Sequence, residues 1–366
     1  MIKKKIKYFY KQVIKIIFIF LYGKVSTPKK VKSRLHLKII KSLISKPKTN
    51  LKYKIYKIKN ARIFTDKNEN VAIIKNNIIV PEMSFQQSNG ILRNAKYNSV
   101  IKNGTNSFIK KIAGRVCNLN QGASGNNFFH FIFDILPKIY ILKSKINLTE
   151  INFFYVSNIK FWQIKIFNMI GIKNKKLLDS EEFNHIYANE IFSVEHPWYE
   201  KGEFQRQVKN IPRWIIDFNR KIFLKRSLKI VAKKKIFLDR SSSNYNHCQI
   251  ENINDIKNLL FRENFEIIQP EKKSFQNQIH IYKKASIILG AHGASFTNII
   301  FCKPGTKIIE IIPSDHPNKK CETISKFLNL KYYRIKTKKN NSDKNYPFKI
   351  YLEKKHLKLI KKIIDL

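Results

Sequence analysis

A chain of 366 residues with 43% apolar residues and only 11 glycines and 11 prolines has ample material for a core, so disorder across its length is excluded. The length exceeds one ordinary α/β domain and suits two with appendages. The formal charge of +47 rests on 72 basic residues of which only 11 are arginine; this diffuse lysine field suits an anionic membrane face or a phosphate-bearing substrate and argues against a sequence-specific nucleic-acid reader. Heavy use of Lys, Ile, Asn, Phe and Tyr makes compositional bias a competing source of the charge. Cys117, Cys248, Cys302 and Cys321 are far apart with no C-x-x-C, which excludes a zinc knuckle or a disulfide framework and predicts buried free thiols in a reducing compartment.

In chain order, residues 1–24 begin with Lys3, Lys4, Lys5 and Lys7 and reach an apolar run at 16–22 that is short for a membrane span. A basic amphipathic helix lying on an anionic membrane is expected, with Phe18 and Phe20 in the acyl boundary. Residues 71–74 and 78–80 flank Lys75, Asn76 and Asn77 and predict a β-hairpin. Residues 126–142 form a helical run that Pro137 kinks or divides, after a turn at 122–125. A strand at 153–156, a helix at 161–171, strands around 186 and at 191–194, and a loop at 196–202 follow, with a long helix at 207–224 leading into a second domain. Thereafter strands at 236–239, 265–268, 286–289 and 307–312 alternate with helices at 253–262 and 275–284, which predicts a parallel sheet. Residues 336–344 are expected as a lysine-rich surface loop and 353–366 as a terminal helix.

Two places offer chemistry. His130 and Asp134 lie four residues apart on one helix face among Phe128, Phe129, Phe131, Ile132 and Phe133; a carboxylate there sets an imidazole's tautomer and raises its basicity, although a structural hydrogen-bond pair would look the same. In ASIILGAHGASFTNIIFCKPGTKIIEIIP, residues 285–313, a buried strand runs into a small-residue turn holding Gly290, His292, Gly293, Ala294, Ser295, Thr297 and Asn298. Small residues let backbone N–H groups approach a phosphate closely. The turn spells neither G-x-G-x-x-G nor a P-loop, so a tight turn without a ligand is the competing reading. Arg240 follows its strand at the end where ligands bind in such sheets and is a candidate diphosphate ligand, or else a surface partner of Asp239. Glu310, among isoleucines, is a candidate acceptor of ribose hydroxyls, or else a buried structural partner of a lysine. No D-x-D and no histidine ligand spacing is present, so no metal is expected.

The run GASGNNFFHFIFDILPKIYIL resembles the first signature of glycosyltransferase family 61, and the run from LDRSSS to KIIEIIP resembles its second; the likeness covers roughly residues 61–333. The resemblance implies an α/β fold of GT-B type, two Rossmann-like domains facing a cleft. Its expected divisions are a basic membrane-associating segment (1–50), an acceptor-side domain (51–203), a nucleotide-sugar-binding domain (204–345) and a C-terminal helix (346–366) that packs back on the first domain. It further implies an inverting, metal-independent glycosyltransferase that transfers a hexosyl, pentosyl or N-acetylhexosaminyl group without a cofactor. The expected partners are a nucleotide-sugar donor, a glycan or lipid-linked glycan acceptor and an anionic membrane surface, with no nucleic acid, in surface-polysaccharide synthesis at the inner face of a cell membrane. Carried over residue by residue, His130 and Asp134 match the first signature, either being the candidate base, and His292, Gly293 and Asn298 match the second. The chain departs from the family at Phe131 and Lys138, where Trp and Arg are usual, and at Asn246, His247 and Cys248, where a second arginine is common. That loss leaves a non-catalytic glycan- or nucleotide-binding relative as the alternative.

Overall fold

The computed structural model describes residues 2–28, 36–47, 49–66, 70–88, 90–122, 125, 127–199, 202–224, 233–241, 248–338 and 349–366. Two compact units divide the chain, Met1–Gln207 and Val208–Leu366. Asn246, His247 and most of the expected lysine-rich loop lie outside the described residues, although Lys336 and Thr337 close a strand.

The first unit opens with helix α1 (Ile2–Tyr22) and is built on an 11-stranded sheet. Its strands are β1 (Lys38–Ser45), β2 (Lys52–Thr65), β3 (Val71–Lys75), β4 (Ile78–Ile79), β5 (Phe85–Ser88), β6 (Ile91–Asn94), β7 (Lys110–Asn118), β8 (Phe153–Val156), β9 (Leu177–Asp179), β10 (His185–Val194) and β11 (Gly202–Glu203). The order is β11-β6-β5-β3-β2-β10-β7-β8-β9, with β1 also on β2 and β4 on β3. β10, β7, β8 and β9 pair parallel with one another; the other pairings are antiparallel, so this sheet is mixed where a Rossmann-like one was expected. The hairpins β1–β2, β2–β3, β3–β4 and β5–β6 have a local cause, alternating segments joined by short turns, whereas the antiparallel pairing of β2 with β10 joins strands far apart in the chain. At the β3–β4 turn Asn76 and Asn77 take φ of 50° and 59°, the left-handed pair that a two-residue turn needs and that asparagine tolerates, with Lys75 opposite Ile78.

The second unit carries a five-stranded, all-parallel sheet: β12 (Lys234–Leu238), β14 (Glu266–Ile268), β15 (Ala285–Ala291), β16 (Lys307–Pro313) and β17 (Lys331–Thr337), in the order β14-β12-β15-β16-β17. The short strands β13 (Gln249–Ile250) and β18 (Lys349–Ile350) pair separately. One face of the sheet, with Ile287, Leu289, Ile309 and Ile311, packs on Ile256 and Leu260 of helix Ile253–Arg262 and on Ile360, Ile363 and Ile364 of helix Lys354–Asp365. The terminal helix belongs to this unit's core. The helix expected over 207–224 starts only at Arg213, because Pro212 supplies no N–H and disfavours a helical Ile211 before it.

The chain leaves β12, crosses to β14 on one side and returns as β15 on the other. The carboxyl ends of β12 and β15 thus form the topological switch point, where open α/β sheets bind ligands.

Candidate functional site

In the first unit the sequence divides one helical run into three pieces. Asn127 caps the start by accepting from the Phe129 N–H at 2.9 Å, helix Phe128–His130 passes into a π-turn at Phe131–Ile135, and helix Leu136–Lys143 follows with Pro137 in its first turn. Pro137 offers no N–H to the carbonyl of Phe133 four residues earlier. That oxygen accepts instead from Trp198 Nε1 at 3.2 Å, and the same N–H reaches Asp134 Oδ1 at 2.9 Å. Proline thereby seats an indole from a distant loop against the carboxylate.

His130 Nδ1 lies 2.7 Å from Asp134 Oδ2, and both residues are buried. A third group joins them: His196 Nε2 is 3.5 Å from Asp134 Oδ1, while its Nδ1 accepts from the N–H groups of Tyr199 at 2.9 Å and Trp198 at 3.3 Å. Those two backbone donors fix the Nε2–H tautomer of His196, whose Nε2 stands 3.5 Å from Asp134 Oδ1 as an electrostatic neighbour outside hydrogen-bond geometry. Burial alone would raise the Asp134 pKa, but the two histidines outweigh it and hold the group ionised well below the usual carboxylate range. Burial lowers the His196 pKa against the pull of Asp134. In this arrangement His130 carries its Nδ1 proton toward Asp134 and keeps Nε2 as the basic nitrogen, which makes His130 the better proton acceptor and Asp134 its orienting partner.

Lys138, one turn beyond Asp134, is buried and donates to Gln121 Oε1 at 3.1 Å and toward the Asn120 carbonyl at 3.4 Å. Burial pushes its pKa down to about 8 while Asp134 pulls it up. Phe131 is fully buried and packs edge-on against Trp162 and Phe167. Of these residues the sequence reading missed His196 and Trp198, taking them only as part of a loop; the signal was a histidine and two aromatics around Pro197, which has meaning only beside Asp134.

In the second unit a cavity of about 180 Å³ opens at the switch point, lined among others by Asp239, Arg240, Ser241, Gln249, Ile253 and Ala291. Gly290 is needed for the strands to meet there: a Cβ on it would stand 2.9 Å from Leu238 Cβ and 3.2 Å from the Leu238 carbonyl oxygen. Arg240 Nη1 donates to the His292 carbonyl, and its guanidinium lies over Gly293. Asp239 is not its partner, accepting from Ser241 and Gln269. A second cation, buried Lys320, donates to the Gly293 carbonyl at 2.8 Å and was missed because its helix, Lys320–Leu328, lies beyond the motif.

Ala294 starts the 3-10 segment Ala294–Phe301, in which Thr297 and Asn298 are buried. The Asn298 amide donates to Gln278 Oε1 at 2.6 Å and the Ser295 carbonyl accepts from Tyr282 Oη at 2.8 Å. Ser295 Oγ and Thr297 Oγ1 are buried with no hydrogen-bond partner among the described residues, a condition that calls for a ligand or water.

Glu310 faces away from the isoleucine core and accepts from His292 Nδ1 at 2.5 Å, Cys321 Sγ at 3.0 Å and Tyr332 Oη at 2.6 Å. These three protein donors account for the carboxylate, so its geometry is that of a group orienting His292 and differs from the open ribose acceptor expected. The ligand atoms of His292, Glu310 and Cys321 lie within 4.8 Å of one another, a grouping that sequence spacing did not reveal. Burial drives the Cys321 pKa well up, keeping a neutral thiol, and His292 Nδ1 keeps its proton for Glu310, so the trio is satisfied as a hydrogen-bond network.

Burial would raise the Glu310 pKa, yet His292 and the hydrogen bonds bring it down to about 2. A depressed carboxylate contributes stability that is present above its unfolded pKa near 4.5 and lost as pH falls toward 2. Acid unfolding followed by circular dichroism should therefore show a smaller stability loss over that window for Glu310→Gln than for the parent chain; equal losses would show that the carboxylate is not coupled to folding.

These features define an α/β protein with an all-parallel unit and a buried histidine–carboxylate centre. The profile of the Glycosyltransferase 61 family matches residues 128–309, and through this domain the chain belongs to that family. A stretch of 62 residues is 37% identical to a beta-1,2-xylosyltransferase of Arabidopsis thaliana and 34% identical to one of Oryza sativa subsp. japonica, covering 17% of this chain. The matched stretch spans only 12% of the length of either relative.

Proposed function

We propose that this chain is an inverting glycosyltransferase of GT-B type that moves a sugar from a nucleotide-sugar donor to a hydroxyl of a glycan or lipid-linked glycan acceptor, as in surface-polysaccharide synthesis. Pentosyl transfer agrees with the names of the two relatives. The observation that carries the reading is the buried His130–Asp134 pair, held by Trp198 and His196 inside the family domain.

In this mechanism Nε2 of His130 takes the proton of the acceptor hydroxyl as its oxygen attacks the anomeric carbon. The bond to the donor diphosphate breaks, its electron pair leaves with the phosphate, and the carbon inverts. Asp134 stabilises the imidazolium that forms. The nucleotide is assigned to the switch-point cavity of the second unit and the diphosphate to the turn from Gly290 to Asn298. Arg240 and Lys320 provide cationic charge beside that turn. Transfer by this route needs no metal.

A thermal-shift series with UDP, GDP, CMP and their common sugar conjugates, with and without magnesium, tests the reading. A ligand at 100 times its Kd adds about 2.7 kcal/mol to the folded state, so one nucleotide should give a clear, magnesium-independent rise in Tm. No shift with any of them would favour the non-catalytic relative, and a shift only with magnesium would overturn the metal-free route.

A further inference from the structure

Helix α1 has two apolar faces, and the fold uses only one. Phe18 is buried, its ring 5.1 Å from that of Phe108, and Tyr22 packs edge-on against His185 at 5.6 Å and accepts from the Ile109 N–H at 3.3 Å. Directly after the helix, Val25 enters a core cluster with Phe64, Ile74 and Ile79, while Ser26 bonds to Asn77 and Ile79 through its backbone. The helix is thus fastened to the first unit along one side.

The opposite side carries Ile6, Phe9, Val13, Ile16 and Phe20, spaced by three and four residues so that they form one stripe. All five are exposed, Phe9 at 70%, Ile16 at 66% and Phe20 at 88%. Tyr10, Ile17 and Leu21 border the stripe and are exposed too. Ordinary surface helices place such a stripe against a core; here a different apolar face is docked, and this one is left to the outside.

We infer that this outward stripe is a docking surface for an anionic lipid bilayer, in which α1 lies flat at the headgroup level with the stripe in the acyl boundary. No helix among the described residues is long and apolar enough to cross a membrane, which suits a helix that lies on one. Charge selects the occupant. Lys5 lies beside the stripe and is exposed, Lys11 is exposed on the docked side two turns before Phe18, Lys24 is exposed just past the helix, and the chain carries +47 overall. A second copy would oppose that charge with its equal, whereas anionic headgroups neutralise it, and the Lys5 stem reaches them from beside the inserted stripe. The inference is independent of the proposed transferase activity.

The test is sedimentation of the whole chain with phosphatidylcholine vesicles, with and without about one third phosphatidylglycerol. Binding should require the anionic lipid and weaken with salt. Ile16→Gln with Phe20→Gln should weaken it by about tenfold or more, since two apolar side chains no longer enter the lipid. Both positions are exposed, so Tm in the absence of vesicles should not change. Unchanged binding of the double variant would overturn the inference, because the charge of the body would then suffice. Absence of binding to the anionic vesicles would also overturn it, and concentration-dependent self-association abolished by the same variant would assign the stripe to a second copy.

Discussion

Replacing His130 with asparagine is expected to lower kcat by about 10² to 10⁴ while leaving donor-induced thermal stabilisation intact. Asparagine can still place an N–H where Nδ1 of the imidazole meets Asp134 Oδ2 at 2.7 Å, so the buried carboxylate keeps a donor on that side. What disappears is Nε2, the nitrogen proposed to take the acceptor proton. Asp134→Asn should give a loss of similar size for a different reason: an amide presents a donor as well as an acceptor to His130, Trp198 and His196, and no longer fixes the His130 tautomer or balances its positive form. Because the two groups act as a unit, the double variant should be no slower than the worse single one. Transfer by His130→Asn at the parent rate would remove His130 as the base, and an active Asp134→Asn would show that its carboxylate does not orient the ring.

That pair was legible because helical spacing of four puts two side chains on one face whether the turn is α or π-bulged. The all-parallel sheet of the second unit was legible for a similar reason, since short isoleucine-rich strands alternate with amphipathic helices whose Ile256, Leu260 and Ile360 reach the same core. The mixed sheet of the first unit was not: strand β2 pairs with β10 more than 100 residues later, as Ile63 does with Ile186, and no local pattern encodes that partner. His196, Trp198 and Lys320 were hidden by the same limit. Each acts through an atom contributed from elsewhere in the chain, namely the Asp134 carboxylate, the Phe133 carbonyl that Pro137 leaves open, and the Gly293 carbonyl. Glu310 shows the converse. Its burial was readable from its isoleucine neighbours, but its partners Cys321 and Tyr332 come from the next helix and strand.

Gly293→Ala is the second large expected effect: donor affinity should fall by about 10- to 100-fold with the fold retained. The backbone at Gly293 is extended, with φ of 169°, so alanine meets no conformational penalty there. The penalty is contact, since a Cβ would stand 2.0 Å from Arg240 Nη1 and 2.4 Å from its Cζ. A guanidinium on a flexible stem can move aside, which spares the fold, but it then leaves the His292 carbonyl and its place beside the turn at Gly293. Arg240→Ala should produce the same fall by removing the group outright. If both act through the guanidinium, the double variant falls no further than Arg240→Ala alone, and the coupling energy of the cycle is large. Additive losses would mean that Gly293 serves the donor by another route, such as close approach of its own backbone. Donor affinity unchanged in Arg240→Ala would take Arg240 out of the site altogether and leave Lys320 as the cation to test next.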